Sequence, residues 1–194
     1  SLWSGKSFLD ADFTVSNLRA QLERQNFNII HLATHAQFNP NPRTNSYIQF
    51  WAENRLRFDE VRQLGLKDTF AELLVLGACQ TALGDKEAEL GFAGFAYKSG
   101  AKSVLASLWE VKEVGTLALM IEFYQLLKQP KTIKAEALRQ AQLAMLRRDW
   151  YIENDQLCRR EEQKCVLVPI ENLEELKLSH PYFWSGFTIV GNPW

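Results

Sequence analysis

Apolar positions recur along the chain in two rhythms. Across residues 14–24 they fall at helical spacing, with Val15, Leu18 and Leu22 on one face and Asp12 or Thr14 placed to cap the start. Residues 28–33 form a short apolar run, the pattern of a buried strand, which ends at Thr34, His35 and Ala36. Pro40 and Pro42 mark a loop at 39–42, and residues 47–58 alternate enough to predict a strand or hairpin. Residues 73–76 are Leu-Leu-Val-Leu, an uninterrupted run suited to a central strand buried on both faces. It stops at the small residues Gly77 and Ala78, just before Cys79.

Helical spacing returns around Leu90, Phe92, Phe95 and Ala96, and residues 102–108 predict the next strand. A helix is expected over 116–129, with Leu117, Met120, Ile121, Tyr124 and Leu127 sharing a face and Pro130 ending it. A second helix is expected over 132–148, with Leu138, Ala141 and Met145 turned inward. Residues 158–164 read as a charged surface stretch, and 184–190 as a last strand closed by Gly191, Asn192 and Pro193. Buried-type strands alternating with helices predict one α/β domain over residues 1–194, built around a mostly parallel sheet.

Composition narrows the classes without adding a site. The chain has 194 residues, 46% hydrophobic and 23% charged, with a formal net charge of −1, so nothing in its balance favours nucleic acid or a membrane surface as a partner. The aromatic load is heavy, six Trp and twelve Phe, and reads as a large core with docking of the chain end. Three cysteines, Cys79, Cys158 and Cys165, are an odd number and do not form the pattern of a secreted disulfide framework, which points to a reducing, cytoplasmic compartment. Cys158 and Cys165 lack the second ligand pair of a zinc site and are expected on a surface loop; no metal or cofactor is expected. Gly94 and Gly100 do not make a phosphate loop, because Ala101 separates the glycine from Lys102.

The chemistry rests on His35 and Cys79, each immediately after a predicted central strand. In open α/β sheets ligands gather at the carboxyl ends of strands. A thiolate is the reactive form of cysteine, and a neighbouring imidazole can take its proton or pair with it. The small residues beside Cys79 fit a tight strand exit whose backbone N–H groups can stabilise an oxyanion. Taken singly, the cysteine reads as a small core residue and the histidine as hydrogen-bonded structure. Their equivalent placement at two strand ends brings the catalytic reading level with the structural one.

Six segments in series go further: HLATH (31–35), LVLGACQTALGD (74–85), GFAGFA (91–96) running on through SGAKSVLASLW (99–109), LMIEFY (119–124), ALRQAQ (137–142) and HPYFW (180–184). In this order they resemble the CHAT family of caspase- and separase-like cysteine peptidases. The resemblance implies a caspase-like fold, a three-layer α/β/α sandwich, and endopeptidase chemistry on a protein or peptide substrate. It implies His35 as the catalytic histidine and Cys79 as the nucleophile, with the backbone N–H groups of Ala36 and Cys79 as oxyanion donors. Glu113 falls in the slot of the acidic residue that receives a basic P1 side chain, with Trp109 and Ser107 as further substrate-binding residues. His31 and His180 are read as structural.

Three positions depart from the family pattern. Ala36 stands where glycine is usual, Gly77 where serine is usual, and Glu113 where aspartate is usual, with Lys112 beside it. These departures keep open a non-catalytic role, as a regulatory or protein-interaction module on the same fold. The resemblance also implies a strand and helix ahead of residue 1, and an upstream repeat domain or second chain as a partner.

Overall fold

A computed structural model describes residues 3–37, 45–57, 60, 61, 64, 66, 71–77, 91–98, 100–161, 163–167 and 176–194. It divides the chain into two compact units, Trp3–Glu110 with Phe187–Pro193, and Val111–Gly186. The loop expected at 39–42 lies outside the described residues.

The first unit opens with helix α1, Val15–Arg24. Of the two capping candidates, Thr14 does the work: its Oγ1 accepts the Asn17 N–H at 3.1 Å, satisfying one of the donors that a helix start leaves unpaired. Asp12 contributes only its carbonyl oxygen, which accepts from the Asn17 side-chain amide at 2.8 Å. Strands β1 (Ile29–Leu32), β2 (Ala36–Gln37), β3 (Tyr47–Gln49), β4 (Arg55–Arg57) and β5 (Leu73–Leu76) follow. Helix α2 (Gly91–Lys98), strand β6 (Ser103–Ser107) and the late strand β10 (Phe187–Gly191) complete the unit.

Four of these strands form the main sheet, in the order β1-β5-β6-β10. β1, β5 and β6 run parallel, and β10 joins β6 antiparallel. The two central strands are buried at every position, as their unbroken apolar sequences require, whereas β1 at the edge alternates. Ile30 and Leu32 enter a core that includes Leu22, Ile48, Leu56, Leu74 and Leu76. The β5 and β6 starts are tied together by the Ser103 hydroxyl, which donates to the Glu72 carbonyl, and by a Lys102–Glu72 ion pair. The predicted stretch at 47–58 resolves into the β3–β4 hairpin, and β2 extends it to a three-stranded antiparallel sheet.

The second unit holds helices α3 (Glu113–Leu127) and α4 (Lys134–Leu146). It also holds an antiparallel meander, β7 (Trp150–Glu153), β8 (Gln156–Arg159) and β9 (Lys164–Leu167). The inward positions expected for α4, Leu138, Ala141 and Met145, are all buried. For α3 the expected face is corrected. Of that face Met120 is buried and Ile121, Tyr124 and Leu127 are half-buried, but Leu117 is exposed, and the buried positions also include Ala118, Leu119, Phe123 and the carboxylate Glu122. Apolar spacing alone could not find that face, because a charged residue sits in its middle with its own partners. Trp150 Nε1 donates to Glu122 Oε2 at 3.0 Å, and Arg159 Nη2 donates to Oε1 at 3.0 Å.

The reading of 158–164 as a charged surface stretch holds at the exposed Arg160, Glu161, Gln163 and Lys164 and is corrected at Cys158 and Arg159 by the same pairing. Arg159 is neutralised by Glu122, so the residues around it form strands, with Leu157 and Cys158 fully buried. Cys158 and Cys165 face each other across β8 and β9 and are joined as a disulfide, not left as separate thiols on a loop. Seven residues of separation gave no framework pattern; the hairpin supplies the proximity. The last strand begins at Phe187, not 184, because Pro181–Phe183 forms a 3-10 turn capped by His180, whose Nδ1 accepts the Tyr182 N–H at 3.2 Å.

The fold is therefore mixed α/β, with a mostly parallel main sheet and two antiparallel sheets beyond the one expected. Among the described residues no helix is long and apolar enough to cross a membrane.

Candidate active site

β1 and β5 end level with each other. Ile29 faces Leu73 and Leu32 faces Leu76, a constant offset of 44 residues in a parallel ladder. The ladder carries on one step, because Gly77 N–H donates to the Leu32 carbonyl at 3.0 Å. The segment that bears His35 and the one that leads to Cys79 thus leave the carboxyl edge of the sheet side by side, where α/β sheets place their chemistry. Cys79 itself, with the rest of 78–90, lies outside the described residues.

His35 occupies the step between two sheets. The chain leaves β1 after Leu32 and enters β2 at Ala36. It is pinned on either side of the imidazole: Thr34 Oγ1 donates to the Gln49 carbonyl at 2.7 Å, and Gln49 N–H donates to the His35 carbonyl at 2.8 Å. The His35 side chain is exposed, so a rigid backbone presents a solvent-accessible imidazole. The His35–Gln49 bond also fixes the alternation of the short ladder. Ala36, opposite Ile48, occupies the intervening position, which turns its N–H away from β3. The methyl group of Ala36 is buried in the core. The alanine thus adds packing while leaving the donor directed outward.

His31 lies on β1 four residues before His35. Its Nε2 comes within 3.3 Å of the position a Cβ on Gly77 would take. Neighbouring protein atoms displace enough water to lower its pKa below 6.5, although the residue keeps solvent access on one side. An open groove beside β1, lined by Phe13, Ile29, His31, Ala33, Thr34 and Trp51, reaches the residue next to His35. Sequence patterns gave no sign of this groove, because residues 6–14, which supply part of its lining, belong to no predicted strand.

The residues expected to bind substrate fall in two places. Ser107 ends β6, is buried, and donates its hydroxyl to the Trp109 carbonyl, which tightens the turn out of the strand. Trp109 is half-buried in that turn. Glu113 is the exposed first residue of α3, where a negative charge complements the helix dipole. His180 takes the structural role of a cap.

No curated protein matches the sequence significantly. A family model described as "CHAT domain", a caspase-like peptidase-family domain, matches residues 1–192, nearly the whole chain. With the segments in series, the parallel strand pair and this match in agreement, the chain belongs to the CHAT domain family.

Proposed function

We propose that the chain is a cysteine endopeptidase that cleaves a protein substrate through His35 and Cys79, on a caspase-like, three-layer sandwich. The observation that carries the reading is the offset of the main-sheet ladder. The 44 residues that set β1 against β5 are the same 44 that separate His35 from Cys79. This equality supports the reading that the two residues leave the sheet as neighbours.

Cys79 attacks the scissile carbonyl as the thiolate. His35 takes the thiol proton and returns it to the leaving amine, and water then releases the acyl group with His35 as base. The N–H groups of Ala36 and Cys79 stabilise the oxyanion, a role that the outward direction of the Ala36 N–H supports. The open groove ending at Thr34 suits a peptide-sized substrate. Glu113 offers a carboxylate to a basic P1 side chain, with Ser107 and Trp109 shaping the neighbouring turn.

Fluorogenic peptides with Arg, Lys or Asp at P1, assayed with the wild-type chain and with Cys79→Ala, test the proposal. Hydrolysis after Arg or Lys that vanishes in the variant is expected. Hydrolysis that survives Cys79→Ala overturns the mechanism, and a preference for Asp at P1 overturns the role of Glu113.

A further inference from the structure

The β7–β8–β9 meander is anchored unevenly. On β8, Leu157 and Cys158 are fully buried, and Arg159 is paired with the buried carboxylate of Glu122 on α3. On β7, Trp150 is buried and donates to that same carboxylate. On β9 the side chains whose burial is described, Lys164, Cys165 and Val166, are all exposed. Among the described residues it is an edge strand, joined to β8 by its backbone ladder and by the Cys158–Cys165 disulfide. The two Cα atoms stand 4.0 Å apart, the close spacing of a non-hydrogen-bonded pair, where facing side chains meet most directly.

We propose that Cys158–Cys165 is a reversible thiol-redox site, opened by a dithiol reductant, and that its reduction releases β9 while β7 and β8 stay seated. One thiolate of the reductant attacks the sulfur of Cys165, the exposed residue of the pair. The S–S bond breaks, and Cys158 leaves as a thiolate that takes up a proton. The reductant's second thiolate then displaces Cys165 and closes the reductant's own disulfide, so two electrons and two protons pass to the protein. The buried partner is ready for its reduced form: Cys158 Sγ lies 3.8 Å from the Gln156 carbonyl, an acceptor for the new S–H. Without the cross-link, β9 keeps a four-residue ladder and no buried side chain among its described residues, too little to hold an edge strand firmly.

Hydrogen exchange read by mass spectrometry on the full chain, oxidised and then treated with dithiothreitol, tests this. Alkylation before and after digestion reports the state of both sulfurs. Reduction is expected to speed amide exchange at 164–167 by about tenfold or more, with exchange at 150–153 and 156–159 changed less than about twofold. Cys165→Ser is expected to show the fast pattern without reductant. Three results overturn the proposal: free thiols at both positions after equilibration with oxidised glutathione, unchanged exchange at 164–167 on reduction, or equal acceleration across all three strands.

Discussion

His31 Nε2 and Gly77 meet across the parallel pair, at 3.3 Å from the point where a Cβ on Gly77 would stand. That point also lies 3.4 Å from the Ala33 Cα and 3.5 Å from the Leu32 carbonyl oxygen, ordinary contact distances, so the imidazole is the neighbour that must give way. The glycine in place of the family's usual serine is thus matched to the histidine beside it. Gly77→Ser is expected to destabilise the chain by about 1 kcal/mol, the low end of the range for overfilling a packed site. His31→Ala in the same chain is expected to return part of that loss, which a double-mutant cycle in urea would measure. Full additivity of the two changes would show that the contact does not matter.

The lowered pKa of His31 makes a pH prediction whose sign can be worked out. Desolvation favours the neutral imidazole in the folded chain, so the unfolded chain binds a proton more readily than the folded one. The corresponding stability is present above the ordinary value of 6.5 and is lost as pH falls below it. His31→Gln is expected to flatten the decline of urea midpoint between neutral and mildly acidic pH. The effect is small, because the residue keeps part of its solvent. An equally steep decline in the variant would assign the acid sensitivity to other groups.

Glu122 and Arg159 form the buried charge pair of the second unit. The Arg159 guanidinium lies 2.9 Å from Oε2 through Nε, and Trp150 donates to the same oxygen. Removing the acid alone, in Glu122→Ala, leaves the buried indole N–H without its acceptor and the guanidinium with the weaker, exposed Glu161 carboxylate at 3.5 Å, and is expected to destabilise by about 3 kcal/mol. Glu122→Leu combined with Arg159→Met replaces both charges with apolar groups and is expected to lose much less. The ordering of the two variants, read from denaturant midpoints, is the test.

Gly115 on α3 has no room for a side chain. An added Cβ would stand 3.0 Å from both Cβ and O of Phe183, in the 3-10 turn. Gly115→Ala is therefore expected to destabilise by about 1–3 kcal/mol, although alanine favours a helix by up to about 1 kcal/mol over glycine. A stabilised variant would mean that the turn can move away freely.

Much of this architecture was legible where one physical signal dominated. The unbroken run of β5 and the capped, periodic segment of α1 could be read directly, because burial on both faces and a hydroxyl cap each leave a local mark. The meander could not. Its buried positions, Leu157 and Cys158, stand next to Arg159, whose charge is answered by a residue 37 positions earlier. The disulfide was hidden for the same reason, since its proximity comes from a hairpin that the charges disguised. At the candidate site, the sequence supplied the residue types and their order. It could not supply the ladder offset that sets β1 against β5, or the two Gln49 bonds that hold the chain on either side of His35.

That ladder has one more implication. Side chains alternate across a strand, so a slip of β1 by a single residue along β5 would turn Ile30 and Leu32 out of the core and into water. The same slip would aim the following imidazole at the wrong side of the sheet. Apolar side chains therefore act as a gauge for where the segments after β1 and β5 leave the sheet, and a misaligned pair is rejected as a misfolded protein.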